Sequence, residues 1–207
     1  MIHHIRPYYP YDCNCYLLTG DSNVLIDTGT GFAVQGLISE ISDVLNGATL
    51  NRVLITHCHF DHIGGCPSLI DRYGCDIYAG HIDAVPIREG DDTYTLSSDP
   101  KGIPVKDLSQ GDVIDIGQHR LRIIETPGHT SGGVCFYDEI SSSLFSGDTI
   151  FSDSIGRTDL PSGSLSSLRN SIKYLNSMAV KQLYPGHGDP TTDWASAIKR
   201  ALQMVGD

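Results

Sequence analysis

The chain has no apolar run approaching the roughly 20 residues a membrane-spanning helix needs, so a membrane is not an expected partner. Basic residues are scarce, with 14 Lys and Arg against 25 Asp and Glu and a formal net charge of −11. Phosphate backbones are held by clustered Lys and Arg, so nucleic acid is not an expected partner either. Glutamate is scarcer still: of the 25 acidic residues 21 are Asp and 4 are Glu. Asp favours turns and caps where Glu favours helix interiors, which fits a loop-rich chain. Six cysteines in 207 residues are too few for a disulfide scaffold. Residues Met1 to Pro7 lack the apolar core of a secretory signal, and the expected compartment is the reducing cytoplasm. There is no linker, no low-complexity tract and no block of five like charges. With 40% hydrophobic residues the chain can bury a core. Its length fits one domain over residues 1–207 or two closely packed halves.

What is present is a series of short apolar runs closed by turn residues. Cys15 to Thr19 and Val24 to Asp27 form an expected hairpin around Gly20-Asp21. Arg52 to Thr56 and Asp76 to Ala79 read as buried strands. Later strands are expected at Val113 to Ile116, Leu121 to Glu125, Gly133 to Tyr137, Ser143 to Ser146 and Gln182 to Tyr184. Helical stripes lie between them. Leu37, Ile38, Ile41, Val44 and Leu45 share a face that Gly47 ends; Leu165, Leu168, Ile172 and Leu175 share another; Trp194, Ile198, Ala201 and Val205 make a third. Residues 89–110 are irregular, either a long functional loop or the join of two similar halves. Hairpins interleaved with helices argue for mixed sheets covered by helices, not one doubly wound parallel sheet.

The run Thr56-His57-Cys58-His59-Phe60-Asp61-His62-Ile63-Gly64-Gly65 concentrates chemistry. At a strand's end His57 and His59, two apart, point to one side, with Cys58 turned away as packing. A helix starting there would project Asp61 and His62 together from its first turn. One short segment can thus serve two metals about 3.5 Å apart. Three later strands each stop at glycine and are followed at once by a ligand-type residue: Pro127-Gly128-His129, Gly147-Asp148 and Pro185-Gly186-His187. Glycine-bounded loops at strand ends are a natural way to assemble a site from distant sequence. His3, His4, His81 and His119 carry no such context.

On these motifs the chain resembles the metallo-β-lactamase superfamily, most of all its glyoxalase II-like branch, over about Asn14 to Thr192. The segments Val24-Leu25-Ile26-Asp27-Thr28-Gly29, Phe145 to Phe151 and Gly156-Arg157-Thr158-Asp159-Leu160-Pro161 carry the likeness beyond the ligands. The resemblance implies an α/β architecture (α+β in some schemes), a four-layer αββα sandwich of two mixed sheets flanked by helices. It implies two divalent metal ions at one edge of the sandwich. His57, His59 and His129 would hold the first, Asp61, His62 and His187 the second, and Asp148 would bridge. Zinc suits this ligand set, and iron or manganese accepts it.

The implied chemistry is hydrolysis of a small anionic thioester, of the hydroxyacyl-glutathione type or another acyl-thiol, by a metal-bridging hydroxide. Asp61, His62 and Asp148 are the expected catalytic residues. No Gly-x-Ser-x-Gly elbow is present. Arg157 could grip a substrate carboxylate, or pair with Asp159 instead. Tyr8, in the Tyr8-Tyr9-Pro10-Tyr11 cluster, could line a pocket. Full-length glyoxalase II enzymes carry a C-terminal helical region with glutathione contacts. Here about 15 residues follow Thr192, so that clamp is expected to be missing or rebuilt. The alternatives are a mononuclear iron persulfide dioxygenase of the same fold using His57, His129 and Asp148, a lactonase, and a noncatalytic metal-stabilised binding domain. The residues leave the oligomeric state open.

Overall fold

The computed structural model describes residues 1–96 and 101–206. The first part of the chain runs β1 (Ile2–Ile5), β2 (Cys15–Leu18), β3 (Val24–Ile26), α1 (Val34–Leu45), β4 (Arg52–Ile55), α2 (Phe60–Ile63), α3 (Cys66–Tyr73), β5 (Asp76–Gly80), α4 (Ala84–Glu89), α5 (Asp92–Thr95) and β6 (Lys106–Leu108). The second part runs β7 (Val113–Asp115), β8 (Arg120–Glu125), β9 (Val134–Asp138), β10 (Ser143–Gly147), α6 (Leu165–Asn176), β11 (Gln182–Pro185) and α7 (Trp194–Met204). The irregular stretch at 89–110 thus contains α5 and β6, and β6 joins the first sheet. The step from one sheet to the other falls between Leu108 and Val113.

Two mixed sheets result. The first has the order β1-β2-β3-β4-β5-β6, antiparallel through β3 and parallel beyond it. The second has the order β11-β10-β9-β8-β7, with only the β10–β11 pair parallel. Successive strand side chains point to opposite faces. Tyr16, Leu18, Ile26, Leu54, Ile123, Phe136 and Phe145 therefore meet between the sheets. Their neighbours Leu17, Leu25, Val53 and Ile55 face outward and are covered by Leu37 and Ile41 of α1 and Leu69 of α3. On the far side Ile124, Cys135, Leu144 and Leu183 are covered by Leu168 and Ile172 of α6 and Trp194 and Ile198 of α7. Both faces of the central strands are buried, which is why those strands read as continuous apolar runs. The architecture is the four-layer αββα sandwich.

The helices start and stop for local reasons. Ser164 caps α6 by accepting from the Ser167 N–H at 3.3 Å, and Asp193 caps α7 by accepting from Ser196 at 3.1 Å. Helix α1 ends at Asn46 in the left-handed region (φ 44°), just before Gly47. All six cysteines are free and buried, packed as small apolar residues. Among the described residues no helix is long and apolar enough to cross a membrane.

Phe145 is the joint between the sheets, fully buried with its ring 5.4 Å from Tyr16 and 4.9 Å from Tyr184. Truncating so large a core ring costs about 3–5 kcal/mol. Phe145→Ala should lower the unfolding free energy by that amount, read from the urea midpoint at unchanged m-value. A loss under about 1 kcal/mol would mean that the inter-sheet core is not closed around this ring.

Candidate metal centre

Four strand ends converge on one edge of the sandwich. The chain leaves β4 into His57 and His59, and His59 is the N-cap of α2, extended at φ −68° and ψ 148°. Asp61 and His62 then occupy the first turn of α2. His129 follows β8, Asp148 follows β10 and His187 follows β11. Glycine permits the close packing this needs. A side chain at Gly64 would sit 2.1 Å from the Thr30 carbonyl, and one at Gly186 would sit 2.4 Å from Asp148 Oδ1.

The seven residues expected from the sequence meet in space. Ligand-type atoms of His57, His59 and His129 lie within 4.8 Å of one another, and so do those of Asp61, His62 and His187. His57, His62 and Asp148 meet the same limit and link the two triads. Asp148 lies between them: its Oδ1 is 3.3 Å from His62 Nε2, and its Oδ2 is 3.6 Å from both His129 Nε2 and His187 Nε2. Asp61 Oδ2 is 3.2 Å from His187 Nε2, and His59 Nδ1 is 2.9 Å from His129 Nε2. The first triad is buried, whereas the Asp61 and His187 side chains are 19% and 36% exposed. Access is therefore from the second triad's side.

Hydrogen bonds behind the rings fix which nitrogen is free. Thr56 gives its hydroxyl proton to Asp27 Oδ2 at 2.8 Å, so at 3.1 Å it accepts from His57 Nδ1–H. His62 Nδ1–H donates to the same Asp27 oxygen at 2.8 Å, and His129 Nδ1–H donates to the Arg157 carbonyl at 2.7 Å. With Nδ1 so engaged, Nε2 is the nitrogen of each ring that faces the centre. His57 Nε2, His59 Nε2, His62 Nε2 and Asp148 Oδ1 are buried with no hydrogen-bond partner. Buried polar atoms are rarely left unpaired, and one cluster of four is what a bound cation would satisfy. The residues fit a bound metal.

The electrostatics agree. Burial and the neighbouring imidazoles depress the basicity of His57 strongly and that of His59 to a pKa of about 4, so both rings are neutral donors at pH 7. Burial alone would raise the Asp148 carboxyl, but His62, His187 and His129 hold it well below the usual carboxylate range. Burial also disfavours charge on His62, yet Cys13 and the carboxylates of Asp27, Asp148 and Asp61 raise its pKa well above the ordinary value. The second triad thus attracts positive charge. Cys13, Asp27 and His62 form another close group, but Asp27 is there already committed to Thr56 and His62.

Arg157 and Tyr8 are engaged elsewhere. The Arg157 guanidinium pairs with Asp159 at 2.8 and 2.6 Å, both side chains exposed. Tyr8 donates to Glu40 at 2.5 Å on the α1 side. Cys58 turns its thiol toward the Tyr94 carbonyl at 3.6 Å, away from the centre. His119 clamps a hairpin through Asp138 at 2.8 Å, and His4 bonds Asn14 at 2.9 Å.

Three supporting residues were given no role by the sequence reading, although Asp27 and Thr56 lie in segments it quoted. Asp27, at φ 59°, holds Thr56 and His62. Thr56 orients His57. Asn14 donates to the carbonyls of Pro185 and Gly188 at 3.0 and 2.7 Å, tying down the His187 loop. The signal for Asp27 was its place at a strand's end before Thr28-Gly29; Asn14 gave none.

A family model described as the metallo-beta-lactamase superfamily matches residues 8–205. The chain belongs to this superfamily. It is 36% identical over 193 residues to the probable metallo-hydrolase MJ0888 of Methanocaldococcus jannaschii, covering 87% of this chain and 90% of that protein. A hydroxyacylglutathione hydrolase of Bradyrhizobium sp. is 33% identical over 163 residues, which cover 78% of this chain and 56% of that enzyme. Among solved structures, the BLEG-1 B3 metallo-beta-lactamase superposes with a TM-score of 0.80 at 29% identity, covering 97% of this chain and 95% of that one. TTHA1623 in a di-iron-bound form gives a TM-score of 0.76 at 31% identity, covering 93% and 94%.

Asp27 supports a ring of the second triad from behind, and removing such a partner typically costs 10–100-fold in metal affinity. Asp27→Ala should weaken divalent-metal binding by about that factor in a chelator competition titration. Unchanged affinity at both sites would show that His62 needs no anchor.

Proposed function

We propose that this chain is a dinuclear metal-dependent hydrolase of the glyoxalase II-like branch that cleaves a small anionic thioester. The observation that carries the reading is the pair of triads joined by one carboxylate, Asp148. A purely structural site closes with four ligands, and seven donors for two ions leave positions open for water and substrate. His57, His59 and His129 would hold one ion, Asp61, His62 and His187 the other, with Asp148 between them. The ions would lower the pKa of a coordinated water to near 7 and polarise the substrate carbonyl. Zinc, iron and manganese all suit the donors.

The chain's own residues supply orientation. Asp27, Thr56 and the Arg157 carbonyl each engage Nδ1 of one imidazole and so fix the orientation of three rings. Asp61 Oδ2, on the open side, would hold a proton of the attacking water. Water adds to the carbonyl carbon, the C–S bond breaks, and the products are a carboxylate and a thiol. A thiolate leaves without an acid because a free thiol has a pKa near 8.5. The likeness to the Bradyrhizobium hydroxyacylglutathione hydrolase supports the thioester, and the di-iron form of TTHA1623 supports two ions. Arg157, whose backbone carbonyl holds His129 Nδ1, would bring its guanidinium to a substrate carboxylate if released from Asp159.

The test is elemental analysis of the purified protein coupled to a thioester panel that includes lactoylglutathione, with a lactone, a β-lactam and glutathione persulfide as the other arms. The expected result is two metals per chain and turnover of a thioester. One iron per chain with oxygen uptake on the persulfide would sink the reading. Asp148→Ala should lower metal content and cut kcat at least a hundredfold. Unchanged turnover in that variant would refute the bridging role.

A further inference from the structure

We propose that His4 is the positioning residue of the second metal site: through Asn14 it fixes the loop that presents His187, and so sets that site's affinity without touching the metal. This rests on the two-metal reading above. The rings of His57, His62 and His129 are oriented by hydrogen bonds at Nδ1. Among the described residues no such bond reaches His187, whose Nε2 faces Asp61 and Asp148 at 3.2 and 3.6 Å. Phe151 packs edge-on against this ring, with 6.0 Å between centroids. The rest of its placement comes through the backbone.

Three carbonyls of that backbone are held by two residues of one short segment. Asn14 gives its main-chain N–H to the Gly186 carbonyl at 2.7 Å. Its side-chain amide donates to the carbonyls of Pro185 at 3.0 Å and Gly188 at 2.7 Å. The Tyr16 hydroxyl donates to the Pro185 carbonyl as well, at 2.7 Å. One residue earlier, Cys13 gives its N–H to the Asp61 carbonyl at 3.4 Å. The segment from Cys13 to Tyr16 thus bears on both Asp61 and His187, two members of the second triad that follow strands of different sheets.

His4 governs this segment. It lies in the edge strand β1, where the register sets it opposite Tyr16, and the two rings stack 5.1 Å apart at 23°. His4 Nε2 is 2.9 Å from Asn14 Oδ1. A carbonyl can only accept, so Pro185 and Gly188 claim both N–H groups of the Asn14 amide. Oδ1 is then the atom that faces His4, and it takes a proton donated by Nε2–H. Asn14 is 3% exposed, so without this donor Oδ1 is a buried acceptor left unpaired. Turning the amide over would aim Oδ1 at two carbonyl oxygens. His4 therefore selects the one amide orientation that holds the His187 loop.

The experiment uses the full chain, stripped of metal and titrated with zinc against a chromophoric chelator. His4→Phe keeps a ring against Tyr16 and removes the donor, whereas His4→Gln puts an amide N–H back. We expect His4→Phe to bind one zinc as the wild-type chain does and the other about tenfold to a hundredfold more weakly. His4→Gln should stay within about threefold of the wild type for both zincs. In the metal-free wild-type chain, long-range ¹H–¹⁵N spectra of the neutral ring should show His4 as the Nε2–H tautomer. His4→Phe should shift the amides of Gly186, His187 and Gly188 and leave that of His129 in place. Equal weakening of both zincs would make His4 a general structural residue and overturn the proposal. So would an Nδ1–H tautomer, or unchanged zinc affinities in His4→Phe. The expected zinc pattern with no thioester turned over by the loaded wild type would sink the hydrolase reading and leave His4 its role. A single zinc in the wild-type chain would overturn both.

Discussion

The Asp148 carboxylate is the constraint around which the molecule is arranged. It is a largely buried anion with one oxygen unpaired, reached by His62, His129 and His187 from three different strand ends. A charge taken out of water costs several kcal/mol unless it is paired in good geometry. Here that geometry depends on the registers of β4, β8, β10 and β11 all being right at once. The shift of pairing between Phe145 and Gly147, against Tyr184 and Pro185, falls where Asp148 is about to leave the sheet. Such irregularities re-aim a side chain at a sheet's end.

The rigidity needed for this comes from having three cores. Residues alternate between the inter-sheet core and an outer helix-covered one, so a register slip would exchange two apolar sets without exposing either. Register must then be held by shape and by the polar knots at the edge. Asp27 supplies one knot: it accepts from Thr56 in β4's extension and from His62 in α2, with its own N–H given to Leu54. Asn14 supplies another across the sandwich, from the start of β2 to the end of β11. These bonds serve stability and chemistry together, because they orient the rings and lock the strands that carry them.

This division explains what was legible in the sequence. The seven centre residues could be read because each follows an apolar strand and a turn, a local pattern. The αββα layering followed from the same runs and from the resemblance they support. The supporting bonds could not be read, since their partners are 29, 35 and 171 positions apart and nothing local marks Asn14. Strand β6 was hidden because two of its three residues, Lys106 and Asp107, are exposed and polar. Helix α3 was hidden because only Cys66 and Leu69 of its eight residues are buried, too few to show a stripe. The pairing of Arg157 with Asp159 was one of two readings the local sequence allowed.

The excess of acid in the composition acquires a sharper meaning at the centre. Burial keeps His57 and His59 neutral, and Asp27, Asp61 and Asp148 stand within one small volume. Without cations this edge adds negative field to a chain of formal charge −11, and an anionic substrate would be repelled from it. On the proposed reading, divalent ions held here would reverse the sign locally, where the Asp61 and His187 side chains meet solvent. Cation binding then does two things through the same seven side chains. It would satisfy the unpaired nitrogens and the Asp148 oxygen that the fold has gathered, and it would make the edge attractive to the anionic substrate proposed above. A chain with so few basic residues has little other means of drawing an anion to this edge, since the Arg157 guanidinium is bound to Asp159.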